Sequence, residues 1–342
     1  MARPHPLEEI VMSIRSKLRK IHLRPRGKNS KVAYQFRCLV HRLCPRWWLR
    51  QRAASLLQTL EARTDKQYIL DRVEYYCKLI DQSRIHGEYE IGKIFADMHG
   101  AKNYYRDFFE YSRFFNPTLK VDTEFGDNTI IPETPSVTKS RPIRGQNANC
   151  VVLNLDKVRH FIFLKDKRTF REKLPTAIFR GICAQPHRIA FMEKYFGSNV
   201  CDCGDTAEKP SCDQWGKPLI TLYDHLKYRY IISLEGNDVA SNLKWVMSSN
   251  SIAVMPKPKY ETWFMEGRLI PNVHYIQIKD DYSDLEERLH YYNAHPDEAE
   301  KIIKHAHEYV RQFQNKDRED LIHLLVLEKY FKLTNPGVAV WE

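Results

Sequence analysis

The alternation of short apolar runs with amphipathic stretches after residue 150 constrains the fold of this chain most strongly. The runs CVVLNL, HFIFL, TAIFRG, RYIISL, SIAVM and VHYIQI have the composition of strands. Helical spacing of apolar residues occurs at 187–196, from about 240, at 283–293 and at 296–313. Strands that alternate with helices predict an α/β fold with a parallel sheet covered by helices.

The positive charge of the chain is concentrated in its first 52 residues. The chain has a net charge of +11, and residues 1–52 hold 14 Lys or Arg side chains against two acids, Glu8 and Glu9. A nucleic-acid-binding fold should carry its basic stripe on the folded body. Because the charge lies in one terminal segment instead, we expect no nucleic-acid partner.

Within this basic segment, the stretch KVAYQFRCLVHRLCPRWWLRQR predicts an amphipathic helix that ends at Pro45. Basic residues and tryptophans beside an apolar stripe suit a helix on an anionic membrane surface. The same pattern suits a first helix that docks on the folded domain. No apolar run approaches the roughly 20 residues of a membrane span, and no signal-peptide stretch occurs, so we expect the chain to stay where it is made.

Two loops that follow predicted strands carry residues suited to an anion. Ligands of open α/β sheets bind at the carboxyl ends of strands, where helix N-termini offer free N–H groups. Capping of a helix or a surface ion pair would explain the same residues. The residues are Gly236, Asn237, Asp238, Ser241, Asn242 and Lys244 in the first loop, and Arg180, Gly181 and Arg188 in the second.

Several motifs of nucleotide-binding proteins do not occur in the sequence. The chain has no G-x-G-x-x-G, no G-x-x-x-x-G-K-[ST] and no Asp-x-Asp pair. Enzymes that clamp a nucleotide diphosphate through Mg²⁺ usually have closely paired carboxylates. We therefore expect no metal and no cofactor, with cationic side chains and helix dipoles stabilising a diphosphate instead.

Longer motifs resemble a known family. The stretch KYRYIISLEGNDVASNLKWVMSSNSIAVMPKPKYETWFMEGRLIPNVHYIQIKDDYSDLEERLHYY resembles the C-terminal half of glycosyltransferase family 90, and TPSVTKSRPI and AIFRG resemble its middle motifs in the same order. That family contains bacterial lipopolysaccharide-biosynthesis transferases, protein O-glucosyltransferases and capsule xylosyltransferases. The resemblance covers about 120–315 and is strongest to the bacterial type. It implies a GT-B-like fold, in which two Rossmann-like domains with parallel sheets face each other across a cleft, here preceded by the basic helical arm.

The resemblance also implies a reaction and a base. It implies inverting, metal-independent transfer of a sugar from a UDP-sugar to a hydroxyl of a lipopolysaccharide or lipooligosaccharide core, or of a similar surface glycan. The position of the aspartate base matches Asp127 in EFGDNT, although an aspartate after Gly126 equally suits a turn. Glu261 in KYETWF matches a carboxylate that binds the nucleotide ribose.

The cationic residues of the motifs leave two interpretations open. Eukaryotic members carry an arginine where this chain has Asn242, so the diphosphate charge is expected to fall on the three cations Arg180, Arg188 and Lys244. Lys139 and Arg141 in TKSRP can face donor or acceptor, or form structural ion pairs.

The resemblance divides the chain into three segments. Residues 1–52 form the basic amphipathic arm, 53–149 an N-terminal acceptor-side domain onto which the last helix can pack back, and 150–331 a C-terminal nucleotide-sugar-binding domain. The spacing at 53–82 predicts one long helix.

The implied acceptor predicts a location as well. A lipid-linked glycan acceptor implies a cytoplasmic enzyme on the inner membrane face, where each basic residue near anionic lipid contributes about 1 kcal/mol. The alternatives are a non-catalytic protein that binds anions, polysaccharide or nucleic acid, and a protein O-glycosyltransferase.

Overall fold

The computed structural model describes residues 28–95 and 102–341. In that part of the chain, no helix is both long and apolar enough to cross a membrane. The helices are α1 Lys31–Leu43, α2 Arg46–Ala62, α3 Lys66–Tyr76, α4 Lys102–Ser112, α5 Lys157–His160, α6 Pro186–Tyr195, α7 Leu222–His225, α8 Leu243–Met247, α9 Leu285–Ala294, α10 Pro296–Arg311 and α11 Lys316–Thr334. The strands are β1 Tyr89–Glu90, β2 Lys120–Val121, β3 Thr123–Glu124, β4 Ser136–Thr138, β5 Ser140–Pro142, β6 Cys150–Val152, β7 Leu174–Gly181, β8 Cys201–Asp205, β9 Tyr228–Ile232, β10 Ile252–Met255, β11 Tyr260–Thr262 and β12 Ile276–Gln277.

A large parallel sheet forms the second part of the fold. Its strand order is β12-β10-β9-β7-β8, and every pairing in it is parallel. All four residues of β10 are buried, because a parallel sheet covered on both faces excludes water from both sides of its strands. The predicted α/β class with a parallel sheet is confirmed.

A small parallel sheet lies nearer the N-terminus, with the strand order β3-β4-β6. The predicted domain limit at 149/150 does not follow this sheet, because β6 lies after the limit and pairs with β4 before it. The antiparallel pair β5–β11 joins segments from the two sides of the same limit, with Arg141 opposite Glu261. The division into domains and the GT-B arrangement stay predictions.

The helices predicted in the C-terminal half are confirmed as α6, α8, α9 and α10, whereas two local predictions are wrong. The run HFIFL is not a strand, because His160 ends α5 and the two phenylalanines pack on the core from a loop. The helix expected from about 240 starts at Leu243 and has five residues. The helix expected over 53–82 is interrupted at Arg63, whose guanidinium binds the carboxylate of Asp65 at 2.6 Å.

The last helix returns to the N-terminal part of the chain. Helix α11 packs on α3 and α4, and its Glu319 forms a buried ion pair with Arg72 of α3 and accepts a 2.6 Å hydrogen bond from the indole N–H of Trp263. One apolar core cluster includes residues from α3, α4, both parallel sheets and α11. The packing of the C-terminal helix onto the N-terminal part is thus present in the structure.

Helix α1 turns its apolar side to solvent and its polar side to the protein. The Tyr34 hydroxyl donates to Asp107 of α4 at 3.0 Å, and Arg37 lies 3.8 Å from Glu110. Phe36 is 67% exposed and Leu43 is 73% exposed. The exposed apolar stripe of α1 consists of Val32, Phe36, Leu39, Val40 and Leu43, with Trp47 and Trp48 of α2 beyond it. Residues 1–27 of the predicted arm lie outside the described residues, and its limit at 52/53 falls inside α2.

Candidate active site

The carboxyl edge of the small sheet brings together three charged side chains that are far apart in sequence. Asp127 lies in the loop after β3, Lys139 directly follows β4, and Arg159 lies in the short helix after β6. Because neighbouring parallel strands end at the same edge of a sheet, these three residues converge there. Asp127 and Lys139 were predicted as site residues, whereas Arg159 was not.

The carboxylate of Asp127 is held by donors from three elements. Its Oδ1 accepts hydrogen bonds from the Tyr104 hydroxyl at 2.6 Å, from the Lys139 ammonium, and from Arg159 at 2.5 Å. Its Oδ2 accepts only from Arg159, at 2.6 Å, among the contacts of the described residues. The second oxygen therefore keeps a lone pair that an incoming hydroxyl group can use, and a simple turn aspartate would not need this set of partners.

These partners also set the protonation state of Asp127. Burial by itself raises the pKa of the carboxyl group, but the hydrogen bond from Arg159, the charge and hydrogen bond of Lys139 and the hydrogen bond from Tyr104 outweigh it. The pKa of Asp127 is held well below its ordinary value. The side chain is therefore ionised at neutral pH, which is the state that a general base requires.

Lys139 connects Asp127 to the large sheet. Its ammonium lies 2.6 Å from Oδ2 of Asp238, in the loop 233–242 between β9 and α8, and 3.5 Å from Nε2 of His160. Burial, followed by the charge of Lys139, keeps the pKa of His160 well below its ordinary value, so the ring is neutral. Ser140 lies 2.9 Å from the same oxygen of Asp238. The β9–α8 loop and the candidate base thus share one polar network.

A cavity of about 350 Å³ opens beside this network at the carboxyl edge of the large sheet. Gly236 and Asn237 of the β9–α8 loop line it, as do the β10–β11 loop and the start of α6. The Gln185 amide donates to the side-chain oxygen of Asn237 at 2.9 Å, which ties two of these walls together. The cavity lies where ligands of α/β sheets bind, as the sequence predicted for this loop.

The charged residues that line the cavity differ from the predicted ones. Lys257 and Lys259 of the β10–β11 loop contribute exposed ammonium groups, and Lys259 is 3.6 Å from Asp280. Glu235 lines the cavity too, and its carboxylate accepts hydrogen bonds from the backbone N–H groups of Lys259 and Tyr260 at 2.9 and 3.2 Å. Burial raises the pKa of Glu235 to about 7.

The three cations predicted for a diphosphate are engaged elsewhere in this structure. The guanidinium of Arg180 binds the side chain of Asp202 at 2.7 Å and its carbonyl oxygen at 2.6 Å. Lys244 is completely buried and lies 2.8 Å from Glu266, which is buried as well. The point charge expected from Lys244 in this loop is therefore already neutralised by Glu266 in this structure, and a role of Lys244 in donor binding stays a prediction.

Arg188 is close to the loop but acts on its backbone. Its guanidinium donates to the carbonyl oxygens of Glu235, Leu234 and Ile182, at 2.8, 2.9 and 2.9 Å. Burial lowers the pKa of Arg188 relative to an ordinary arginine. A side chain added at Gly236 would come within 3.4 Å of this guanidinium. Arg188 therefore holds the loop in place, and Gly236 gives it room.

Glu261 and Arg141 form a buried ion pair away from the cavity. The Arg141 Nε atom lies 2.8 Å from Glu261, and the remaining donors of its guanidinium contact backbone carbonyl oxygens, with Tyr75 O at 2.6 Å. The Tyr75 hydroxyl donates to the other oxygen of Glu261. Of the two interpretations left open for Arg141, the structure shows the structural ion pair, and it places Glu261 outside the cavity lining.

The remaining predicted residues have mixed placements. Gly181 ends β7 opposite Asp205 of β8 and does not line the cavity. Ser241 is exposed, and the Asn242 amide donates to the carbonyl oxygen of Ile232 at 3.0 Å, just before α8. Asn242 precedes a helix of only five residues, so the predicted contribution of a helix dipole here is small.

Some of the missed residues carried a readable signal. Lys257 and Lys259 stand in PKPK directly after the predicted strand SIAVM, and Arg159 follows CVVLNL. The rule for carboxyl ends that selected the β9–α8 loop applies equally to these loops. The burial of Lys244 carried no such signal, because Glu266 lies 22 residues away in sequence.

Comparisons with known proteins agree on one family. The chain matches the model of glycosyl transferase family 90 over residues 153–341, more than half of its length. It is 40% identical to the O-glucosyltransferase LpsA of Dichelobacter nodosus over 296 residues, 86% of this chain and 93% of that protein. It is 28% identical to protein O-glucosyltransferase 1 of Homo sapiens over 179 residues, which cover 50% of this chain and 45% of the human protein.

The family match contains part of the site described above, but not Asp127 or Lys139, which precede it. The family match includes Arg159, the β9–α8 loop and the whole lining of the large cavity. The similarity to the bacterial O-glucosyltransferase extends over most of the chain, and the resemblance read from the sequence motifs is confirmed. The chain therefore belongs to glycosyltransferase family 90 and is a glycosyltransferase.

Proposed function

We propose that the protein is an inverting, metal-independent glucosyltransferase that uses a UDP-sugar donor. The observation that carries the proposal is a polar network centred on Lys139. Lys139 pairs with Asp127, the candidate base, and with Asp238 of the loop beside the cavity. In this proposal the cavity binds the nucleotide, and the contact of Lys139, after β4, with Asp238, after β9, supports a site between the carboxyl edges of the two parallel sheets. Glucose is proposed as the sugar because the relatives are named O-glucosyltransferases.

In the proposed reaction, Oδ2 of Asp127 accepts the proton of an acceptor hydroxyl. The hydroxyl oxygen then attacks the anomeric carbon from the face opposite the diphosphate, and UDP leaves. Lys257 and Lys259 are better placed than Lys244 to neutralise the diphosphate, because they line the cavity with exposed ammonium groups.

We further propose a lipid-linked surface glycan, such as a lipopolysaccharide or lipooligosaccharide core, as the acceptor, with the enzyme bound peripherally to the cytoplasmic membrane face. The exposed apolar stripe of α1, next to Arg42, Arg46 and Arg50, supports a membrane contact. The polar side of this helix docks on α4, which leaves its apolar side available for the proposed membrane contact.

Replacement of Asp127 tests the proposed reaction. We expect Asp127→Asn to lower transfer of [14C]glucose from UDP-glucose to rough lipopolysaccharide by about a hundredfold or more, because the general base is lost. Binding of UDP, measured by isothermal titration calorimetry, should stay within about threefold of the wild-type value, a difference of less than 1 kcal/mol.

Three outcomes contradict the proposal. Wild-type transfer by Asp127→Asn would remove Asp127 from the reaction, whereas absence of transfer by the wild-type protein itself would favour a protein that only binds the glycan. Loss of transfer after EDTA treatment, with recovery on addition of Mg²⁺ or Mn²⁺, would overturn the metal-independent mechanism.

A further inference from the structure

Lys139 occupies an unusual position in the chain. It is the single residue between β4 and β5, and these strands belong to different sheets. Strand β4 lies in the middle of the small parallel sheet, while β5 pairs with β11 from the C-terminal part. The backbone of Lys139 is therefore fixed by β4 on one side and by β5 on the other, so the position of its side chain depends on both sheets.

The ammonium group of Lys139 is fully used by the protein. Lys139 is 2% exposed, and its ammonium group contacts three side chains: it donates to Asp127, forms an ion pair with Asp238 at 2.6 Å and lies 3.5 Å from Nε2 of neutral His160. A lysine that contacts a ligand directly needs an exposed ammonium group. A merely structural ion pair needs one carboxylate, whereas this lysine joins two.

We infer that Lys139 is a positioning residue that couples the β9–α8 loop to the proton-accepting carboxylate of Asp127. The inference rests on the proposed function of Asp127. Asp238 does not line the cavity itself, but Asn237 and Val239 on either side of it do. An ammonium group that binds both carboxylates fixes the position of the Asp127 carboxylate relative to the UDP-sugar. It also neutralises Asp238, which lies next to the cavity proposed for the anionic nucleotide.

Arg159 provides a matched comparison for Lys139. Both cations bind Asp127, but Arg159 pairs otherwise with Asp156, at 2.6 Å, and does not contact Asp238. Its side chain is half exposed, whereas that of Lys139 is buried. Removal of either cation weakens the hold on Asp127, and only removal of Lys139 leaves Asp238 as a buried, unpaired carboxylate.

The test uses the full chain with four variants and two measurements. The variants are Lys139→Met, Arg159→Met, Asp238→Asn and the double variant Lys139→Met/Asp238→Asn. UDP affinity is measured by isothermal titration calorimetry, and the pH dependence of UDP-glucose hydrolysis is followed from about pH 2 to about pH 8, so that the range includes the lowered pKa of Asp127. The groups that face Asp127 are Tyr104, Lys139 and Arg159 in contact, with Asp156, His160 and Asp238 behind them.

We expect Lys139→Met to weaken UDP binding roughly tenfold, because the unpaired Asp238 repels the diphosphate. Arg159→Met should stay within about twofold of wild type, since it leaves Asp238 paired; a twofold change is well under 1 kcal/mol. The double variant should bind UDP within about threefold of wild type, because both charges are removed together.

The pH profile gives an independent measurement. The acidic limb of hydrolysis should move to higher pH in Lys139→Met, in Arg159→Met and in the double variant, because each loses a cation that favours ionised Asp127. Asp238→Asn keeps the contact between Lys139 and Asp127, so the acidic limb of hydrolysis in this variant should not move to higher pH. This variant retains the buried lysine and tests the coupling even if Lys139→Met does not fold.

Three results would overturn the inference. They are a double variant that binds UDP no better than Lys139→Met, an Arg159→Met variant that loses as much UDP affinity as Lys139→Met, and an acidic limb that rises in Asp238→Asn. The first two depend only on UDP binding and not on whether Asp127 is the base, whereas the third holds only if the acidic limb reports the ionisation of Asp127. Retained transfer in Asp127→Asn would instead overturn the proposed reaction.

Discussion

At the scale of single residues, charge complementarity inside the protein decides which cations can serve a ligand. Lys244, Arg180 and Arg141 all have the charge that a diphosphate needs, yet each is paired with an internal carboxylate. Lys257 lines the cavity and has no ion pair with another described residue. Sequence position next to a glycine-rich or asparagine-rich loop is therefore a weaker guide than the presence of a buried counterion.

Lys244→Met and Lys257→Met should separate these two roles. Lys244→Met leaves Glu266 buried without its cation, so we expect the free energy of unfolding to fall by about 3–5 kcal/mol. Lys257→Met, at an exposed position, should change it by less than about 0.5 kcal/mol but weaken UDP binding several-fold. Urea unfolding and calorimetric titration with UDP measure the two effects. A stable Lys244→Met protein with weak UDP binding would contradict this assignment and restore Lys244 as a donor ligand.

The carboxyl group of Glu235 should make stability depend on pH. Burial raises its pKa from 4.5 to about 7 in the folded protein, so between these values the folded state binds a proton that the unfolded state has lost. The contribution of Glu235 to the free energy of unfolding therefore falls as the pH rises from about 4.5 to about 7. Glu235→Gln removes this dependence, and its stability relative to wild type should be greater at pH 8 than at pH 5. Equal differences at both pH values would show that the folded and unfolded pKa values are the same.

At the scale of elements, α1 is an amphipathic helix whose apolar side is not covered by the protein. Its buried side includes Tyr34, and the following helix buries Leu49, so these helices belong to the folded body. The apolar stripe stays exposed over three turns. Exposed contiguous apolar surface next to basic residues is typical of a membrane contact.

Substitution within the stripe should weaken membrane binding without unfolding the protein. We expect Phe36→Ser/Leu43→Ser to lower the partition of the protein onto liposomes with phosphatidylglycerol by about tenfold or more, since roughly 0.8 kcal/mol is lost per buried methylene group. Ile80→Ser is the control, because Ile80 is 87% exposed but lies on another element. Sedimentation with liposomes measures the partition. An equal loss in both proteins, or none in either, would show that the stripe does not contact lipid.

At the scale of the whole molecule, the N-terminal and C-terminal parts share their main core. Helix α11 packs on α3 and α4, β5 pairs with β11, and the buried pairs Arg72–Glu319 and Arg141–Glu261 cross between the same parts. One apolar cluster extends over both parallel sheets. Such a molecule has few places at which one part can unfold while the other stays packed.

We therefore expect cooperative unfolding of the whole chain. Tryptophan fluorescence and far-ultraviolet circular dichroism should report one coincident thermal transition, and UDP at 100 times its Kd should shift that whole transition by about 2.7 kcal/mol of added stability. Two transitions, of which UDP shifts only one, would show that the predicted domains unfold independently despite the shared core.

The sequence was sufficient for the features that depend on local pattern and on motif. The apolar runs predicted β7, β9, β10 and β12 of the large sheet, because burial on both faces requires continuous apolar residues, whereas the edge strand β8, CDCGD, has no such run and was missed. Pro296, followed by Asp297 and Glu298, marked the start of α10. The motif order predicted the family, and the family resemblance identified Asp127 as the candidate base.

Only the tertiary structure decided which charged residues meet. Asp127, Lys139 and Arg159 come together because three parallel strands end at one edge, and Lys139 reaches Asp238 because β4 and β5 enter different sheets. Lys244 is withdrawn from the cavity by Glu266, and the apolar stripe of α1 faces outward because α4 binds its polar side. Local pattern determines which segments become strands and helices, since burial acts on neighbouring residues. The pairing of charges is decided by distances between segments, and these exist only once the chain has packed.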